Sequence, residues 1–133
     1  DDRQFKKAVL VLTTGMNIFL FISFVWPTGL NLREGIVYDL HTLSGNLLKF
    51  VQTVDTPKSV FPSMHVYVTL VLQYTLEMQK KLVPSWGIWV GRVLAVLIVL
   101  STMFTKQHSV LDVSAAIVMF AVLVVVVEKI VKK

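Results

Sequence analysis

Val110-Leu111-Asp112-Val113-Ser114-Ala115-Ala116-Ile117-Val118-Met119-Phe120-Ala121-Val122-Leu123-Val124-Val125-Val126-Val127 decides the fold. These eighteen residues hold one ionisable side chain, Asp112, near their start. The valine run Val124–Val127 admits a strand reading, but the length without a turn residue favours a helix. A helix that crosses a bilayer needs about 20 apolar residues at 1.5 Å per residue. The stretch therefore reads as a membrane span, over about residues 108–128.

Three further blocks share its character. Residues 8–26 lie in a segment, 8–32, with no charged or His side chain; 62–78 carry only His65 before Glu77; 82–105 carry only Arg92. The expected fold is all-α: a polytopic bundle of four transmembrane helices in one domain, residues 1–133. With 55% hydrophobic and 16% charged residues, the chain lies far from the quarter or so of charged residues usual in soluble domains. The absence of Cys excludes disulfides, thiolate metal sites and a Cys nucleophile. The first block is too long for a signal peptide and lacks a small-residue cleavage site. The start Asp1-Asp2-Arg3, without Met, reads as a piece of something longer.

The net charge of +5 is distributed with a pattern. Arg3, Lys6, Lys7, Lys80, Lys81, Lys129, Lys132 and Lys133 fall on one side of a four-span topology; Arg33, Lys49, Lys58 and Lys106 fall on the other. The positive-inside rule makes the first side cytoplasmic. Basic residues dispersed at span ends, with no stacking aromatics grouped beside them, argue against nucleic acid as a partner. Between the first two spans lies a connection too long for a plain turn. Within it Leu43, Leu47, Leu48, Phe50 and Val51 recur at helical spacing, so residues 43–54 read as an amphipathic helix on the membrane surface.

Polar residues gather at the outer ends of the second and fourth spans. Phe61-Pro62-Ser63-Met64-His65 opens one, with Pro62 suited to a first turn and Ser63 to a cap. Lys106-Gln107-His108 and then Asp112 open the other. His108 and Asp112 are four apart, so one helix face would carry both, with the carboxylate accepting the imidazole Nδ1–H and leaving Nε2 as nucleophile or base. Two imidazoles, a carboxylate, a cation and helix N-termini form a phosphate-handling set. Taken singly, each has a plainer explanation, such as interfacial His, anchoring Lys or dipole-complementing Asp. Their shared depth favours function, because ionisable groups at membrane depth are costly. Elsewhere, His65, Thr69, Gln73 and Glu77 form a polar stripe expected to face the bundle interior. Gly87, Gly91 and Ala95 form a small-residue row for close helix packing, and Arg92 either snorkels or pairs within the bundle.

At these residues the sequence resembles the type 2 phosphatidic acid phosphatase (PAP2) superfamily, near its inositol phosphorylceramide synthase branch. The family motif Pro-Ser-x-His matches Pro62-Ser63-Met64-His65. The motif Ser-Arg-x5-His-x3-Asp matches Ser101, His108 and Asp112, with Thr102 in place of Arg. Of the motif Lys-x6-Arg-Pro only Arg33 is matched, followed by Glu34, and Trp26 stands where Lys would be. The resemblance implies a six-span core of which two N-terminal spans are missing here. It implies His108 as the nucleophile that forms a phosphohistidine, Asp112 orienting it and His65 as acid for the leaving alcohol. Ser63 and Arg33 would bind phosphate, with Lys106 standing in for the cation absent at Thr102. No metal or cofactor is implied. The expected activity is hydrolysis of lipid phosphate monoesters or diphosphates on the extracytoplasmic face of the plasma membrane. A head-group phosphotransferase and a catalytically degenerate membrane scaffold are the alternatives, and the oligomeric state stays open.

Overall fold

The computed structural model describes residues 2–27, 35–54, 61–105 and 107–131. These form five helices: α1 (Asp2–Val25), α2 (Leu43–Val54), α3 (Met64–Met78), α4 (Ser85–Phe104) and α5 (Val110–Val131). Among the described residues the fold is all-helical.

Interhelical bonds fix the directions. Gln4 Nε2 of α1 donates to the Met78 carbonyl at the end of α3 (3.0 Å), so these two helices run antiparallel. The Ser63 N–H donates to the Asp112 carbonyl (3.2 Å), and Tyr74 Oη donates to Glu128 Oε1 (3.1 Å), so α3 and α5 run parallel. One end of the bundle therefore holds the starts of α3 and α5. The other holds the start of α1, the α3–α4 turn and the end of α5.

α3 is the central element, packing against α1, α4 and α5, while α1 also packs on α5. Its Val66 and Tyr67 are fully buried. Tyr67 lies on Gly15 of α1, where a Cβ would fall 2.1 Å from the ring's Cζ, and its hydroxyl donates to the Val11 carbonyl. Phe120 of α5 meets Tyr67 and Tyr74 edge-on, at 6.4 and 6.0 Å between ring centres. Aromatic edges on π-faces fill this seam with favourable quadrupole contacts.

α1, α4 and α5 are each long and apolar enough to cross a membrane. Only 11% of the apolar window is buried in α1 and in α4, and 28% in α5. Side chains such as Phe24 (89% exposed) and Phe104 (82%) point away from the protein. In water such a surface would drive aggregation; hydrocarbon is the solvent that suits it. The chain is an integral membrane protein.

The block expected at 62–78 is a shorter helix. α3 has 15 residues, about 22 Å at 1.5 Å per residue, against a hydrocarbon core of about 30 Å. Its limits have local causes. Ser63 is the N-cap, leaving Pro62 outside, and the Gln79 N–H closes the last turn onto the Thr75 and Leu76 carbonyls. Other limits also differ from those expected: α1 begins at Asp2, α4 at Ser85 after the Pro84 cap, and α5 at Val110, so His108 precedes its helix. The residues 43–54 are helical as the spacing predicts.

The polar stripe of α3 faces α4. Gln73 Oε1 lies 2.6 Å from where a Gly91 Cβ would sit, and Thr69, Gln73, Gly91 and Ala95 line one small cavity. Gly91 and Ala95 thus serve the helix seam, whereas Gly87 sits beside Val83 and Pro84 of its own helix start. Arg92 pairs within the bundle. Its Nε is 2.6 Å from Glu77 Oε1, and its guanidinium lies 5.0 Å from the Trp89 ring centre.

Candidate functional site

The site is built by two helix starts and one helix end. At the start of α3, Ser63 adopts extended backbone and its Oγ accepts the Val66 N–H (3.4 Å). A serine cap satisfies one of the N–H groups that a helix start leaves without an internal partner. Ser63 is fully buried and retains its own O–H as a donor. The Ser63 N–H bond to the Asp112 carbonyl ties this start to that of α5. His65, one residue into α3, is exposed.

The α4–α5 turn carries His108. The Thr102 carbonyl accepts both the Gln107 N–H (3.0 Å) and the His108 N–H (3.2 Å). Thr105 Oγ1 donates to the Ser101 carbonyl (2.7 Å), and the Thr105 N–H bonds the same oxygen (2.8 Å). The end of α4 therefore satisfies its last carbonyls with the very residues that lead into His108. Thr102, at the position where the resembled family has Arg, is buried (3% exposed), and its hydroxyl bonds the Val99 carbonyl.

The His65 and His108 rings, from separate helix starts, lie 5.8 Å apart between centres and are tilted by 55°. His108 is 8% exposed and Asp112 5%. The expected pairing of Asp112 with His108 on one helix face is not the arrangement found. α5 begins at Val110, because Ser109 is its cap: the Ser109 carbonyl accepts the Val113 N–H. Asp112 Oδ2 accepts the Ser109 N–H (2.7 Å) and Oγ–H (2.9 Å), and the Asp112 N–H reaches back to Ser109 Oγ (3.3 Å). This is a reciprocal capping box. The carboxylate holds the backbone of the residue after His108.

The structure thus brings together His65, His108, Ser63 and Asp112. Arg33 and Lys106, the expected phosphate-binding cations, lie outside the described residues. Two contributors escaped the sequence reading. Gln52 of α2 is buried, with Nε2 donating to the Thr105 carbonyl (2.7 Å) and Oε1 accepting from Tyr38 Oη (2.6 Å). These bonds dock α2 onto the turn that carries His108, while Leu43, Leu47, Phe50 and Val54 stay exposed. A single amide in an otherwise amphipathic pattern gave little signal. Ser109, in contrast, stood in a legible Ser-x-x-Asp pattern.

Chemically, two imidazoles can divide labour, one attacking an electrophile and the other moving a proton. Among the described residues no three His, Asp or Glu side chains converge as a metal site. No protein-family model, no curated protein and no solved structure matches this chain.

Proposed function

We propose that the chain is the core of a membrane phosphatase of the type 2 phosphatidic acid phosphatase kind, acting on lipid phosphate monoesters or diphosphates. The observation that carries the reading is the pair of imidazoles 5.8 Å apart, supplied by two helix starts that are bonded to each other. A phosphorus atom about 3–3.5 Å from the attacking nitrogen, with a leaving oxygen within about 3 Å of the second imidazole, spans a gap of this order.

In this reading His108 Nε2 attacks phosphorus, the P–O bond to the lipid alcohol breaks, and protonated His65 gives its proton to the departing oxygen. Water then attacks the phosphohistidine, His65 takes its proton, the P–N bond breaks and inorganic phosphate leaves. Ser63 donates its spare O–H to a phosphate oxygen. Arg33 and Lys106 supply positive charge for the equatorial oxygens. Asp112 acts through the Ser109 cap, positioning the turn that carries His108. α3, though short, serves as a fourth crossing element, with the site on the extracytoplasmic face of the plasma membrane as the charge pattern suggests.

The chain reconstituted in vesicles should release phosphate from phosphatidate or a prenyl diphosphate in the presence of chelator. His108→Ala should reduce this to the uncatalysed rate and abolish acid-labile 32P labelling of the protein. His65→Ala should cost about 10²–10⁴-fold with an alkyl leaving group. With a nitrophenyl leaving group, which departs without a proton, it should cost far less. Unchanged turnover in His108→Ala would sink the mechanism.

A further inference from the structure

At the end of the bundle opposite the two imidazoles, we propose a binding site for the head group of one anionic phospholipid. It lies between the start of α1 and the α3–α4 turn and is independent of the phosphatase reading.

A cavity of about 420 Å³ opens there, lined by Gln4, Glu77, Gln79, Lys80, Lys81 and Leu82. Its walls are held in place by structure already described. Gln4 bonds the Met78 carbonyl, and the turn is closed by Leu82 and Val83 N–H groups on the Gln79 carbonyl (2.9 and 3.0 Å). The one carboxylate in the lining is already compensated. Glu77 bonds Arg92 Nε at 2.6 Å and Lys80 Nζ at 3.0 Å, two cations for one anion. Lys81 has no ion-pair partner among the described residues. The opening therefore presents surplus positive charge.

The surroundings extend that charge. Arg3, Lys6, Lys7 and Lys129 lie at the same end of the bundle, against Asp2 and Glu128. The lining is amphiphilic as well, because Leu82 is 80% exposed, and beyond it Trp86, in the first turn of α4, is 71% exposed. Trp side chains favour the head-group layer, and basic pockets between transmembrane helices suit anionic head groups. A ligand with an anionic phosphate beside a lipid body meets both requirements. A phosphate free in solution meets only the first.

Native mass spectrometry of the whole chain in non-ionic detergent, titrated with phosphatidylglycerol or phosphatidylcholine, tests the site. One phosphatidylglycerol should be retained in preference to phosphatidylcholine. Lys80→Gln with Lys81→Gln should weaken retention about tenfold or more, at roughly 1 kcal/mol per lysine near a lipid surface. Lys6→Gln with Lys7→Gln removes equal charge outside the cavity and should change retention less than twofold. Gln4→Leu should weaken it without any change in charge. Equal losses in the two double variants would reduce the effect to general surface charge and overturn the proposal. So would equal retention of phosphatidylcholine, or displacement by glycerol phosphate at a matching concentration. A melting temperature measured for each variant separates lost binding from lost folding.

Discussion

The two ends of α3 solve the same problem in opposite ways. Both place polar groups at the margin of an apolar bundle. At its C-terminal end, Glu77 is closed off by side chains: Arg92, Lys80 and the Gln73 amide (3.1 Å) all converge on its oxygens, and Trp89 covers the guanidinium. At its N-terminal end, the backbone dominates. The Ser63 and Ser109 caps, the Thr102 carbonyl and the Ser63–Asp112 bond fix the chain on either side of His65 and His108, and the two rings face each other. Charges locked to one another hold helices together. Rings presented by a fixed backbone can change protonation and bonding without loosening the fold.

The comparison predicts effects that cross over. His108→Ala should remove phosphate release altogether while changing the thermal midpoint little. Arg92→Met should do the reverse, lowering the midpoint while leaving kcat within a few-fold. Truncating Arg92 leaves Glu77 to Lys80 and the Gln73 amide but removes the bond that ties α3 to α4, whereas Arg92→Met with Glu77→Met removes both charges and should recover much of the loss. Activity and melting measured on the same preparations check this. If Arg92→Met abolished turnover at an unchanged midpoint, the division between the two ends would be wrong.

The next effect lies one turn into α3, at Tyr67, where close packing against α1 dominates. Gly15→Ala puts a methyl group into the Tyr67 ring, which is itself buried and backed by Phe120. Overpacking of this kind costs about 1–3 kcal/mol. Denaturation of Gly15→Ala should show the loss, and Gly15→Ala with Tyr67→Leu should restore part of it.

How much of this was legible follows from the physics of each feature. Long runs free of charge are conspicuous, because hydrocarbon tolerates few ionisable groups, so α1, α4 and α5 could be read directly. α3 ends short because the Ser63 and Gln79 caps act locally, and hydropathy does not register caps. The meeting of His65 and His108 could be anticipated only by placing both at one membrane face; the Ser63–Asp112 bond that ties the two helix starts together leaves no trace in the sequence. Asp112 has a different partner from the one its spacing suggested, for a definite reason. The spacing of four to His108 suggested a shared helix face, but Ser109, three residues before Asp112, is the stronger local partner and starts the helix after the histidine. Gln52 was illegible because its partner, the Thr105 carbonyl, lies 53 residues away.

The Ser109 cap gives the smallest effect and the sharpest test of the logic at the histidine end. Ser109→Ala removes an Oγ that both accepts the Asp112 N–H and donates to its carboxylate. Loss of a serine cap costs about 1 kcal/mol. Asp112→Asn keeps the shape but weakens the bond to the Ser109 N–H, since a charged acceptor binds more strongly than an amide oxygen. If the carboxylate acts by holding the turn, both substitutions should lower kcat by a similar modest factor, and their combination should be less than additive. If the carboxylate instead bonds the His108 imidazole in the working enzyme, Asp112→Asn should cost far more than Ser109→Ala and should displace the pH profile. Kinetics of the two single variants and the double variant across a pH series would separate these outcomes.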